Sequence, residues 1–371
     1  MKGKKTKIIL LGALLVAIVG VVIYFVMKYK TYQYTEVNAL YISDSTDHAN
    51  YKQCFDGILR YNRDGIALVT EQGSEIWNQS YQMNNPVIEM CGDSVAVADK
   101  GGTSIYVFQK KGLKGEIKTT KTIEKFCVSS QGIVSVILKD EKNPLVMCYD
   151  AAGNKLVEHK VIPQEMGYPI DVAISEDGKT ILVSYLYTGQ NEASTKIAYY
   201  YFGDDNTEKV DYQVHQQEFA GTIIPTTAFM QKDVSILVSD NALIFYKGLK
   251  EPKESLRINF DSEIQCVGYD ENLVAVMLKN GGDASYKLNI YNKKGKMLSS
   301  IGVDNEFSHI KVANNQVMVY DGQSCGIYLK NGVCKYRGNI DQSIMEMYPA
   351  GGINKYIVIN TSGFYEVRLA N

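Results

Sequence analysis

The run "SVAVADKGGTS", residues 94–104, places a glycine pair beside Thr103 and Ser104, with a lysine before it and two more soon after. Such a pattern cradles phosphate when backbone N–H groups lead into a helix N-terminus, as in G-x-x-x-x-G-K-[ST]. Here "IYVF" (105–108) follows, which alternates like a strand, so the expectation is a hairpin tip. The same slot later in the chain holds "KDEKNP", "YTGQNEAST", "KNGGDAS" and "DGQS", which share turn residues rather than ligands.

Other reactive residues are scattered. His48, His159, His215 and His309 lie far apart, without the H-E-x-x-H spacing of a zinc site. Asp44, Asp47 and His48, and separately Asp204, Asp205 and Asn206, gather oxygen ligands. Neither group has the turn glycine and distal glutamate of a calcium loop, and both read as solvated tips. No G-x-S-x-G occurs. No catalytic residue, metal ligand or cofactor is therefore assigned. A carboxylate pair assembled from distant segments would leave no local motif.

Seven cysteines contain no C-x-x-C. Cys91, Cys127 and Cys266 each end a short apolar run, as a small packed residue would. Cys325 and Cys334 flank "KNG"; a two-residue Asn331-Gly332 loop sets Cys334 opposite Leu329 and leaves the two cysteines unbridged. Trp77, the sole tryptophan, reads as packing on an outer strand. "KIAYYYF" (196–202) sets Tyr199, Tyr200 and Tyr201 in a row. With one face of that strand exposed they would form a partner-binding patch; with both faces covered they would be core.

The elements that must position these residues repeat. Segments starting at Val87, Glu124, Pro169, Thr226, Glu263 and His309 share one plan: a short apolar strand, an alternating strand, an aromatic-rich strand and a more polar strand, with turns between. The period of about 35–45 residues is that of four-stranded blades. Residues 57–81 and 343–369 add about three strands each, and "EVNALYIS" (36–43) can complete the last blade. The expected fold is an all-β propeller of about eight blades, or seven if the partial repeats merge. Residues 43–53 read as a loop entering the first full blade.

The N-terminus differs. Residues 1–7 carry four lysines, and Ile8 to Met27 contains no charge, enough to cross a bilayer as a helix. No small-x-small cleavage site follows. The expectation is a basic cytoplasmic tail (1–7), a retained transmembrane signal anchor (8–27), a juxtamembrane linker with the ring-closing strand (28–50) and an extracytoplasmic propeller (51–371), oriented by the positive-inside rule. The part beyond residue 30 holds 33 basic and 41 acidic residues, a net of about −8, which disfavours nucleic acid as a partner.

Residues 65–112 resemble the bacterial family DUF5711, a domain of unknown function. The resemblance rests on Gly65, Gly73-x-x-x-Trp77, Pro86, the run Val95-Ala-Val-Ala-Asp99, Gly102 and Ile105-Tyr-Val-Phe108. It implies a membrane location and transfers no catalytic residue. The sequence thus points to an interaction or scaffold module of the cell envelope, with the bilayer and envelope proteins as partners. The alternatives are a propeller enzyme (hydrolase, lyase or quinoprotein-like oxidoreductase) and a ligand sensor.

Overall fold

The computed structural model describes residues 2–371 except 43–48, 141, 189–191, 204–211, 232, 281 and 283; in the first helix, side chains are described from Leu10 onward, Gly12 excepted. Asp44, Asp47, His48, Asp204, Asp205 and Asn206 lie outside the described residues.

Helix α1, Lys2–Lys28, follows from a run of Leu, Ile, Val and Ala with no proline. At about 1.5 Å per residue it extends roughly 40 Å. Its described apolar side chains are exposed on every side, from Met27 at 44% to Leu11 at 71%. Among the described residues no helix is long and apolar enough to cross a membrane. Ile8 falls among the helix residues whose side chains are not described.

Eight four-stranded antiparallel sheets follow. Blades 1 to 7 occupy 50–80, 86–118, 122–160, 168–220, 226–259, 264–303 and 309–339. Each runs in simple meander order, with its first strand innermost. Blade 8 takes three strands from 346–370 and its outer strand, Tyr34–Ile42, from the N-terminal side. That strand pairs with Gly363–Ala370, from Tyr34↔Ala370 to Ile42↔Gly363, so the two ends of the ring hold each other. Blade 1 corrects the final part of the 43–53 loop reading, since Asn50–Cys54 is its inner strand, while 43–48 lie outside the described residues. The signal was weak because only Tyr51 and Cys54 of these five residues are buried.

The repeat grammar has a physical basis in each turn. In blades 1 to 7 the pairing of third and outer strands slips beside the connecting turn. At Gly332, φ is 89° and its N–H reaches Leu329 O at 2.9 Å, the geometry of a glycine bulge that L side chains resist. The slip sets Cys334 opposite Tyr328, one place from the Leu329 expected for a two-residue loop. Cys325 and Cys334 are both free.

The glycines of the 94–104 run also serve a turn. Gly101 N–H bonds Ile123 O at 2.8 Å and Ile123 N–H bonds Gly102 O at 2.9 Å, bracing blade 2 against the first residues of blade 3. Buried Asp99 accepts the N–H groups of Asn84 and Asn85 at 3.0 and 2.8 Å. The N–H groups of Lys100, Gly101 and Gly102 are all taken by backbone carbonyls, so these three form no cradle for phosphate.

The core lies between blades. One cluster joins Ala96, Ile105 and Ile117 of blade 2 to Phe126, Val136 and Met147 of blade 3. Each fully buried large aliphatic or aromatic side chain contributes about 1.5–3 kcal/mol. Trp77 stacks on Phe108 of the next blade at 5.2 Å and donates to Lys110 O at 3.1 Å, a packing role between blades 1 and 2.

Candidate functional site at the channel mouth

The inner strands begin on one face of the ring, here the entry face. It carries the links between blades and the hairpins between second and third strands; the opposite, exit face carries the remaining turns. Sequence dictates what the inner strands offer the channel. Six of the eight carry a charged residue toward the middle of the ring: Lys52, Glu89, Lys125 (next to Glu124), Asp171, Lys311 and Glu346. From blade 7 through blade 4 the signs alternate around the ring, and blades 5 and 6 interrupt the belt with Phe229 and Tyr269.

The contacts run from blade to blade. Lys52 Nζ donates to Ile88 O at 3.3 Å. Lys125 Nζ lies 2.5 Å from Asp171 Oδ1, and Lys311 Nζ 2.5 Å from Glu346 Oε1. Asp171 Oδ2 accepts both the Thr227 N–H at 2.5 Å and its hydroxyl at 2.9 Å. Burial raises the Glu89 carboxyl above its ordinary range; Lys52 and Lys125 pull it back and Asp171 adds to the rise. Tyr269 is 39% exposed, yet burial among protein groups pushes its phenol up to about 12, with Asp171 and Glu89 adding to the shift. A side chain that water reaches but protein surrounds lines a channel, and this one senses carboxylates from blades 2 and 4.

At the entry mouth the inner strands of blades 2 to 4 open into a cleft of about 540 Å³. Val87, Phe126, Pro169 and Ile170 form apolar walls; Glu89, Lys100, Glu124 and Lys125 supply both signs of charge, and Tyr168 stands at the rim. Ile162 and Ile223 are exposed on adjoining links between blades. Mixed charge with an apolar floor suits an extended protein segment with an apolar anchor.

Catalytic arrangements are harder to find. Ser308 donates to Asp321 Oδ2 at 2.7 Å, and its Oγ lies 2.8 Å from His309 Nδ1. The carboxylate holds the serine rather than the imidazole, so the serine proton points away from the base that a hydrolytic triad requires. His159 and His215 sit on outer strands against Tyr200 and Tyr199. Burial pushes the Cys127 thiol well up, and the Cys148 thiol to about 12, the state of inert packed cysteines. Among the described residues no group of three or more His, Cys, Asp or Glu is placed to hold a metal ion.

The tyrosine run does not form a surface patch. Tyr199 and Tyr200 are 0% and 2% exposed. Tyr199 OH bonds Ser235 Oγ at 2.7 Å in blade 5, and Tyr200 OH bonds Tyr185 OH at 2.8 Å on the other face. Adjacent blades cover both faces of the strand, so of the two sequence readings it is the core one that holds for Tyr199 and Tyr200. Tyr201 is half-buried, 5.2 Å from the Lys250 ammonium. The sequence signal for the channel belt is a charge within six of the eight short inner strands, and it is not assigned a role in the sequence reading.

No curated protein matches the chain. Among solved structures, BamB from Moraxella catarrhalis superposes with a TM-score of 0.56 at 11% identity, covering 90% of this chain and 100% of that one. Sqt1 of Saccharomyces cerevisiae gives 0.57 at 11% identity, covering 92% and 99%. The computationally designed Ika8 protein gives 0.57 at 12% identity, covering 86% and 95%. At such identities the likeness is one of fold. The sequence itself matches a family model over residues 28–369, and the chain belongs to DUF5711, a family of unknown function.

Proposed function

We propose that this chain is a single-pass envelope protein whose propeller, held outside the cell, recognises a partner protein through the entry-mouth cleft. One observation carries the reading: α1 exposes apolar side chains all round, while the connector after it is fixed to the ring. Tyr32 is buried, its N–H bonds Lys335 O at 2.7 Å, and Gln33 N–H bonds Ala370 O at 3.0 Å. A helix so apolar is a liability in water and an anchor in lipid. The uncharged run from Ile8 to Met27 and its preceding lysines support that anchor and the outward orientation. The base of α1 faces exit-face turns of blades 7 and 8 across a shared cavity. An anchored ring therefore turns its entry mouth away from the bilayer, toward other envelope proteins.

The test is a photo-crosslinking residue placed at Tyr168 or at Lys160 on the outer rim, in intact cells. The expected result is one dominant protein adduct from Tyr168 and none from Lys160. Equal adducts at both positions, or none at either, would refute recognition through the mouth.

A channel enzyme is the second reading, favoured by the raised Glu89 carboxyl facing Asp171 and Tyr269. It predicts turnover of an external substrate that Glu89→Gln abolishes. Against it, Lys125 and Thr227 already hold both oxygens of Asp171.

A further inference from the structure

Where α1 meets the exit face, the residues and their charges do not balance. A cavity of about 410 Å³ opens between the end of the helix and the turns of blades 7 and 8. Lys28, Lys330 and Lys335 line it, with Asn315, Gln316 and Tyr29 among the others, and among the described residues no aspartate or glutamate does. Lys335 stands near the start of the outer strand of blade 7 and is only 1% exposed. Its ammonium donates to Ile353 O and lies 6.0 and 5.6 Å from the ring centres of Tyr32 and Tyr356.

Among the described residues no ion pair joins Lys335 to a carboxylate. Taking an ammonium out of water without a counter-charge is costly, and carbonyl and ring contacts repay only part of it. Burial, with Lys28 adding repulsion, pushes its pKa down to about 8. The neighbouring amides are oriented by their own bonds. Asn315 Oδ1 accepts from Lys330 Nζ at 3.0 Å and Gln316 Oε1 from Tyr356 OH at 2.6 Å. Those bonds each use a lone pair on the amide oxygen and so set which side of the amide is oxygen and which is the NH₂ donor. A cavity with three ammonium groups, amide donors and no acid is built for an anion.

We propose that this cavity binds a phosphate group, and that an anionic lipid headgroup supplies it. Its height in the molecule fits that source: it lies at the end of the Ile8–Met27 run, with Tyr24 and Tyr29 in its wall, where headgroups and interfacial tyrosines meet. The site needs only the docked end of α1; the lipid as source rests on the anchored reading above. A phosphate there ties helix to ring and sets the ring's tilt on the bilayer.

The experiment uses the full chain, with Trp77 fluorescence reporting thermal unfolding. One arm compares nanodiscs of phosphatidylcholine alone with nanodiscs containing phosphatidylglycerol. The other adds inorganic phosphate to the protein in detergent. Phosphatidylglycerol is expected to raise Tm by about 2–4 °C, and Lys335→Met to remove the rise. Without anion, Lys335→Met is expected to melt higher than the natural chain, the reverse of what loss of a merely structural lysine would do. Lys28→Gln, on the helix and outside the ring fold, is expected to halve the rise and serves if the Met variant fails to fold. A Lys335-dependent rise with inorganic phosphate but none with lipid would keep the phosphate site and overturn its lipid source. No rise with either probe, or a rise that survives Lys335→Met, would overturn the site. Failure of the chain to enter nanodiscs would remove the anchor while the phosphate arm still decides the site.

Discussion

Two groups of lysines sit at different depths of the same ring and meet opposite surroundings. In the channel, Lys125 and Lys311 reach the next blade and find Asp171 and Glu346. At the exit face Lys335 is more deeply buried than either, yet finds a carbonyl and two aromatic rings. The channel charges are a seam: each pair spends its attraction on holding neighbouring blades in register. The exit-face charges are unspent. A lysine's meaning here depends on whether the adjoining blade answers it.

The largest effect is expected at Asp171, where the channel lysines are answered most fully. Asp171→Ala leaves Lys125 without its partner and two Thr227 donors without their acceptor, in a buried position. The expected cost is about 3–5 kcal/mol, read by urea unfolding. A loss under about 1 kcal/mol would mean that the belt is not a seam.

At Lys335 the sign should reverse, and pH exposes it. The folded pKa is near 8 against an ordinary 10.5, lowered by burial and by Lys28. Tyr32 and Tyr356 also face the ammonium, and burial raises both phenols. Below pH 8 the group is protonated in both states and the full penalty applies. Between pH 8 and 10.5 the unfolded chain binds more protons, so stability rises with pH. The rise attributable to Lys335 is about 2–3 kcal/mol and should vanish in Lys335→Met, measured by unfolding at each pH. An unchanged pH profile in the variant would contradict the unpaired state of Lys335.

The smallest effect belongs to the partly exposed pair of blades 7 and 8. Glu346→Gln keeps the shape and weakens the contact to Lys311, with an expected loss of about 1–2 kcal/mol by urea unfolding. A loss as large as that at Asp171 would show that exposure does not grade the belt.

The fold was legible because its signals are local. Strand alternation, turn residues and repeat length all lie within a single blade, and eight copies reinforce each other. The inner strand Asn50–Cys54 was missed because it buries so little. The belt is half-legible: "PIDV" shows one charge and "IEKF" two between apolar residues, but the partner lies a blade away in sequence. Lys335 was illegible. "CKYRG" reads as a polar outer strand, and burial comes from Tyr32, some 300 residues earlier, folding over it. Tyr199 and Tyr200 failed for a related reason, since strand alternation does not say how many faces a blade has covered.

Lysine footprinting on the natural chain decides whether α1 anchors the ring with its exit face toward the bilayer and its entry mouth away. Wall-stripped intact cells are treated with a membrane-impermeant amine reagent, before and after detergent, and modification is read by mass spectrometry at Lys100 of the entry mouth and Lys330 beside α1. Both side chains are exposed in the protein itself. The expected result is full modification of Lys100 in intact cells and modification of Lys330 only once detergent removes the bilayer. Equal modification of Lys330 in intact cells, or protection of Lys100, would contradict it.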